Sequence, residues 1–533
     1  MQTTFQTTVP TPISTIPQLV DQAAARFGTA LFLEESDTRI SFNEFAAQVR
    51  SVVASLMELG INSGDRVAVW APNISEWVMA AIGAQCAGAV LVTLNTRYKG
   101  SEAAYILQQS RARLLFCIGD FLGCDYPSQL AGEALPDLEH TVVLRQNAAH
   151  ENSTAKTLSW EHFQEMGSNI TDEAIQQRMN SISENHLSDI LFTSGTTGHP
   201  KGVMTSHEQN LRAFTHFADI VGLQPGDRYL VINPFFHSFG YKAGILVCLL
   251  KGVTLLPHAV FNTEDILQRI SDDRISVLPG PPTLFQSLLA HPQLDQFDLS
   301  TLKRATTGAA VIPVEMIRQM KSRLGFETVI TAYGLTESCG LVTACRQGDS
   351  AEIIATTSGR AIPDVEVRCV DQHNQEVPRG EAGEIVVRGF NVMQGYFENE
   401  QATHDTIDAD NWLHTGDIGV MDEEGNLKIT DRLKDMFITG GFNCYPAEIE
   451  KTIANHPDIV MNAVIGVPDE RMGEVAKVFA IRSDNSDLTP EALIAWCRDN
   501  MANYKVPRQV AFVDSLPMNA SGKVLKPELR ALS

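Results

Sequence analysis

The stretch LFTSGTTGHPKGV, residues 191–203, places Gly195 and Gly198 among small hydroxyl residues, between apolar Leu191–Phe192 and Lys201, with Gly202 following. A loop of this kind lets backbone and hydroxyl groups approach a dense cluster of charged oxygens, and phosphate is the commonest such ligand. Its spacing is not that of a Walker loop. Counting from Gly195, Pro200 stands where the second glycine is required, and Gly202 comes after Lys201.

Around it, from about residue 39 to 430, short apolar runs such as DRVAVW, GAVLVTL, ARLLFCI, DRYLVINPF and ETVITAYG alternate with helical patterns. This alternation predicts α/β layering with largely parallel, doubly covered sheets. Ser206 and Gln209 form a capping-box pair ahead of apolar Leu211, Phe214, Phe217 and Ile220, so the glycine loop lies between the strand DILF and a later helix. After Arg360 the texture changes to β-rich pieces, VEVRCVDQHNQEVPRGEAGEIVVRG and GNLKITDR, which predict a compact β subdomain. A last segment of helices and strands begins near Arg432, with Pro446 and Thr489–Pro490 as helix starts. The expected organisation is a large N-terminal domain, 1–431, of layered α/β sheets plus the β subdomain. A small α+β C-terminal domain, 432–533, follows it.

The chain has 533 residues, long enough for a cleft enzyme, and a formal charge of -23 from 41 basic and 64 acidic residues. That balance argues against nucleic acid or an anionic membrane as partner, so an anionic substrate has to be held by local groups. Nine scattered cysteines without a CxxC pair suit reduced thiols in a cytoplasmic setting. The N-terminus does not read as a secretory signal, and the apolar stretches from Trp77 and Tyr241, the latter holding Lys242 and Lys251, read as helix followed by strand without an integral membrane segment. The sequons, Asn73 among them, then carry no weight.

Further motifs follow in order: YGLTES (333–338), GEIVVRGFNVMQGY (383–396), WLHTGDIG (412–419), DRLKDMFITGGFNCYPAEIE (431–450) and PMNASGKVLK (517–526). With TSGTTGHPKG before them, they resemble the adenylate-forming superfamily of acyl-CoA synthetases, peptide-synthetase adenylation domains and firefly luciferase. The resemblance spans nearly the whole chain. It implies that a carboxylate attacks the α-phosphate of ATP and expels pyrophosphate, after which a thiol displaces AMP. Two anions meet in the first step, which calls for cations and oriented donors where charge builds up.

The resemblance also assigns roles. Thr193, Ser194, Gly195, Thr196, Thr197, Gly198 and Lys201 are expected over the β- and γ-phosphates, with Thr336 donating to the α-phosphate. Glu337, with Thr196, is expected to hold Mg²⁺, an oxygen-seeking ion. Tyr333 and Gly334 are expected at the adenine, whose other face meets Gly308, Ala309 and Ala310, while Asp417 accepts from the ribose with Arg432 beside it. Lys523 is the mobile cation of adenylation. The pair Gly440 and Gly441 admits the pantetheine arm of coenzyme A, and Lys434 is the hinge about which the small domain turns between half-reactions. His237 is ambiguous on residues alone; the resemblance places it beside the substrate carboxylate, as a positioning group.

The residues expected around the acid are Phe236, Phe239, Gly240, Tyr241, Gly244, Ala309, Val311, Cys339, Gly340 and Leu341, none of them charged. An apolar carboxylic acid is therefore expected. FFHSFGYKAGI and NTRYKGSEAAYIL resemble the bacterial branch acting on steroid ring-degradation propanoates; medium- or long-chain fatty acid ligases, loading of a carrier protein, and an inert nucleotide-binding scaffold remain alternatives. The oligomeric state is open.

Overall fold

The computed structural model describes residues 13–145, 157–193, 200–308, 312–432, 435–439, 442–469, 472–483, 486–501, 503–518 and 524–532, with the side chains of 431, 432, 438, 442 and 443 left aside. Ser194, Gly195, Thr196, Thr197, Gly198, Ala309, Ala310, Val311, Lys434, Gly440, Gly441 and Lys523 lie outside the described residues.

The chain divides into two compact units, one of residues 1–366 with 388–413, the other of 367–387 with 414–533. Among the described residues the first unit holds two large sheets. An eight-stranded sheet runs in the order Gly395–Tyr396, Lys201–Ser206, Leu187–Thr193, Val90–Thr93, Arg66–Trp70, Ala112–Ile118, His140–Leu144 and Thr157–Ser159. From Leu187–Thr193 outward through Thr157–Ser159 its pairs are parallel. A nine-stranded sheet has at its centre the parallel strands Thr328–Tyr333, Arg304–Thr307, Val277–Pro279, Arg228–Val231 and Thr254–Pro257. In both sheets central strands such as Arg66–Trp70, Val90–Thr93, Arg228–Val231 and Thr254–Pro257 are buried along almost their whole length, as strands covered on both faces must be.

The helix Ser75–Cys86 leads through a turn into the strand Val90–Thr93, and the helical run from Ser238 to Lys251 into Thr254–Pro257, as expected for the two apolar stretches. Among the described residues no helix is long and apolar enough to cross a membrane. The Asn73 side chain is buried and bonded on both sides, donating to Val231 O and Asn233 O and accepting from Phe235 N–H, which removes it as an acceptor for sugar.

The capping box holds: Ser206 Oγ accepts from Gln209 N–H, and Gln209 Oε1 accepts from Ser206 N–H at 2.9 Å. The helix His207–Val221 buries Leu211, Phe214, Phe217 and Val221; the last takes the place expected for Ile220, because the i, i+3, i+6, i+10 stripe falls on it. The strand Lys201–Ser206, which returns antiparallel on Leu187–Thr193 before that helix, was not anticipated. Its own pattern is too short to stand out.

In the second unit, the β-rich segment after Arg360 contributes to a four-stranded sheet in the order Val365–Val370, Ala382–Gly389, Leu413–Met421 and Leu427–Arg432. A five-stranded sheet lies further along the chain. Its long hairpin, Ile459–Asp469 on Gly473–Arg482, sends Val464, Ala476 and Val478 into one apolar cluster and Ala463, Ile465 and Phe479 into another. Alternation of this period puts the clusters on opposite faces. Helices begin at Pro446 and Pro490 as expected, the second capped by Thr489.

Candidate functional site

Glu337 sits on the turn Thr336–Ser338, which leaves the strand Thr328–Tyr333 and reverses sharply. Ser338 Oγ accepts from Leu335 N–H at 3.1 Å, and Cys339 and Gly340 follow with φ of 57° and 94°. Gly334 has no alternative: a Cβ there would lie 2.3 Å from Gly340 O. From the strand Gly395–Tyr396, Tyr396 Oη donates to Glu337 Oε1 at 2.9 Å, and Met393 N–H donates to Glu337 O at 2.8 Å. Thr193 Oγ1 approaches the same Oε1 at 3.4 Å. Burial and the Glu337 carboxylate push the Tyr396 phenol pKa up, so its proton stays in place as donor.

Lys201 faces Thr193 across the hairpin, and its Nζ lies 4.9 Å from the centroid of the Tyr396 ring. The fold thus gathers Thr193, Lys201, Glu337 and Tyr396 at the base of the loop 194–199. Tyr396 was not singled out from the sequence as a site residue, although it closes the motif GEIVVRGFNVMQGY; only the pairing of its strand with Lys201–Ser206 brings it here.

Gly308 ends the strand Arg304–Thr307, where Thr307 pairs with Thr331. A Cβ on Gly308 would stand 3.3 Å from Ala332 O, so this bare backbone passes close to the strand that ends at half-buried Tyr333.

His237 lies in a loop pinned by Asn73 and by Thr93 Oγ1, which donates to Phe236 O at 2.6 Å. Its Nδ1 accepts from Phe239 N–H at 3.2 Å, capping the short turn Ser238–Gly240. The ring carries exposed surface. Desolvation there, with the Lys242 charge nearby, lowers its pKa, so the imidazole is neutral and keeps its acceptor role. Gly240 allows the turn to pass the chain: a Cβ would lie 2.1 Å from Pro234 O and 2.4 Å from Asn233 O. Gly240→Ala is expected to force the backbone apart and cost about 1–3 kcal/mol, measured by denaturant unfolding.

One expectation about the acid-binding wall changes. Tyr241 is wholly buried, its hydroxyl bonded by Gln85 Nε2 at 2.6 Å, so it faces the core between the sheet and the helix Ser75–Cys86. Lys242, next to it, brings a charge into the same interior. In the second unit, Asp417 is nearly buried on the strand Leu413–Met421, in register with Arg432, its N–H donating to Thr415 Oγ1 at 3.1 Å.

Residues 20–397 match the family described as AMP-binding enzyme, and residues 448–523 the AMP-binding enzyme C-terminal domain. A 3-[(3aS,4S,7aS)-7a-methyl-1,5-dioxo-octahydro-1H-inden-4-yl]propanoyl:CoA ligase of Rhodococcus jostii (strain RHA1) is 45% identical over 517 residues, 97% of this chain and 98% of that protein. Its namesake of Mycobacterium tuberculosis (strain ATCC 25618 / H37Rv) is 46% identical over 520 residues, 98% of this chain and 99% of that one. Among solved structures, the anthranilate CoA ligase AuaEII in complex with anthranoyl-AMP superposes with a TM-score of 0.84 at 26% identity, covering 98% of each chain. A carboxylate held by Tyr396 and Thr193 beside Lys201 and full-length likeness to such enzymes lead to one statement: the chain belongs to the AMP-binding enzyme family, in its acyl-CoA ligase branch, and is an AMP-forming acid–thiol ligase working with ATP and coenzyme A.

Proposed function

We propose that this ligase activates a fused-ring propanoate of the steroid-derived kind named for its two relatives, adenylating it with Mg·ATP and passing it to coenzyme A in the cytoplasm. The observation that carries the chemistry is the convergence of Tyr396 and Thr193 hydroxyls on Glu337 Oε1 with Lys201 at the same ring. A carboxylate fixed by neutral hydroxyls, next to a lysine and a phosphate-type loop, is a donor set that fits Mg²⁺. When bound, the ion supplies charge neutralisation at the phosphates. Lys201 adds a cation to the phosphates, Thr336 a donor at the α-phosphate, and Gly308 with Tyr333 a slot for adenine. Asp417 and Arg432 serve the ribose.

Neutral His237 orients the acid between Phe236 and Phe239, whose aromatic faces suit a ring system better than a flexible chain. Lys523 neutralises the developing charge in the first half-reaction. The Gly440–Gly441 pair admits pantetheine in the second, the small C-terminal domain turning about Lys434 between the two. Lys523→Ala is expected to slow adenylation about a hundredfold, by loss of one positioned charge, while thioester formation from supplied acyl-AMP survives; normal adenylation by this variant removes the assignment.

The test of the whole reading incubates the protein with ATP, Mg²⁺, coenzyme A and a panel of acetate, medium and long fatty acids, aryl acids and fused-ring propanoates, following AMP and thioesters by mass spectrometry. AMP with a fused-ring thioester is the expected result. A preferred linear acid, pyrophosphate exchange without thioester, or no AMP at all would point instead to a fatty acid ligase, a carrier-protein loader or an inert scaffold.

A further inference from the structure

The helix behind His237 departs from α geometry where it carries its charge. Tyr241–Leu246 winds as a π-helix, a rare form that occurs mostly as single turns at functional sites. The two residues opening it are tied to two consecutive residues of the strand Leu187–Thr193. Gln85 Nε2 joins Tyr241 Oη at 2.6 Å to Ser188 Oγ at 2.7 Å. Lys242 Nζ lies 3.1 Å from Asp189 Oδ1, with both side chains wholly buried. Asp189 also accepts from Thr205 Oγ1 at 2.8 Å and from Asn210 Nδ2, and Lys242 donates to Thr205 Oγ1 at 3.1 Å. Asp189 and Thr205 stand on the two strands of the hairpin that flanks the loop 194–199. Lys242 lies close enough to His237 and Cys339 for its charge to act on both.

A buried ion pair is a poor source of stability, because desolvation offsets the attraction; replacing such a pair by apolar groups of similar volume is often neutral or stabilising by about 1–4 kcal/mol. What this pair does supply is direction and register. Relaxing a π-turn to α shifts the frame by one residue, a rotation of about 100° for every side chain beyond it. The helix tolerates little rotation: at Gly244 a Cβ would already come within 3.1 Å of Val231 Cγ1.

We propose that Asp189 and Lys242 are positioning residues that pin the π-turn to the phosphate-loop hairpin, and so determine which faces of the helix meet the acid and which acid is accepted. This rests on the ligase reading and deepens it, by assigning acid selectivity to a charged pair that does not itself touch the acid.

The test is the double variant Asp189→Asn/Lys242→Met, which removes both charges together. It is designed to fold, because the Asn210 amide oxygen, without a partner among the described residues, can turn to receive the new amide. The readout is the ratio of kcat/KM for the two acids that the wild type distinguishes most, with ATP saturating. That ratio is expected to fall about tenfold or more, the scale of a misfitted pocket contact. The KM for ATP should stay within about twofold and the unfolding midpoint near the wild-type value. An unchanged ratio in the folded double variant overturns the proposal. Should the double variant not fold, Thr205→Val, which removes the hydroxyl bonded to both members of the pair, is read in the same way: a fall of about threefold supports the proposal and an unchanged ratio overturns it. If the wild type takes no fused-ring acid, the proposed substrate fails, while the selectivity ratio still decides the role of the pair.

Discussion

Glu337→Ala is expected to slow acyl-adenylate formation by about 10²–10³-fold, the loss that follows removal of one preorganised group from a site where charge develops. The geometry makes this residue hard to replace. Its Oε1 is the common acceptor of Tyr396 Oη and Thr193 Oγ1, and its backbone is fixed by Met393 N–H. Alanine therefore removes the carboxylate and leaves two hydroxyl donors facing a gap beside Lys201. The effect should be confined to the first half-reaction: acyl-AMP supplied ready-made should still be converted to thioester. Pyrophosphate exchange and a single-turnover thioesterification separate the two steps. Exchange within about tenfold of wild type would show that charge does not build up at this carboxylate.

Lys242→Met alone should lower the unfolding free energy of its unit by about 3–5 kcal/mol, since it strands a buried carboxylate without its cation. Among the described residues Asp189 would keep only Thr205 and Asn210 as side-chain donors, too few for a fully buried charge. Urea unfolding at pH 8 measures the deficit. A deficit below about 1 kcal/mol at pH 8 would mean that water reaches Asp189.

Part of the local structure was legible because it is written in short motifs. The turn YGLTES and the Ser206–Gln209 cap are each specified within a few residues, where backbone freedom and capping chemistry act locally. The apolar alternation likewise announced layered sheets before any strand order was known. Tyr396 escaped notice because it meets Glu337 across 59 residues of chain, and Thr193 does so across 144. Tyr241 looked like part of the acid-binding wall because it neighbours His237, yet the π-turn carries its hydroxyl to Gln85 in the core.

The amino-acid sequence by itself determined the α/β layering, the motif order and the family. The tertiary structure alone decided that the hairpin strand Lys201–Ser206 carries Thr205 to Asp189, that Tyr396 closes on Glu337, and that Lys242 is an interior charge. It also decided that each compact unit is assembled from two separated pieces of chain. The physical reason is one of range: propensity, capping and periodicity act over a few residues, whereas a buried charge or a shared acceptor is satisfied only by whatever partner the strand order brings within about 3 Å.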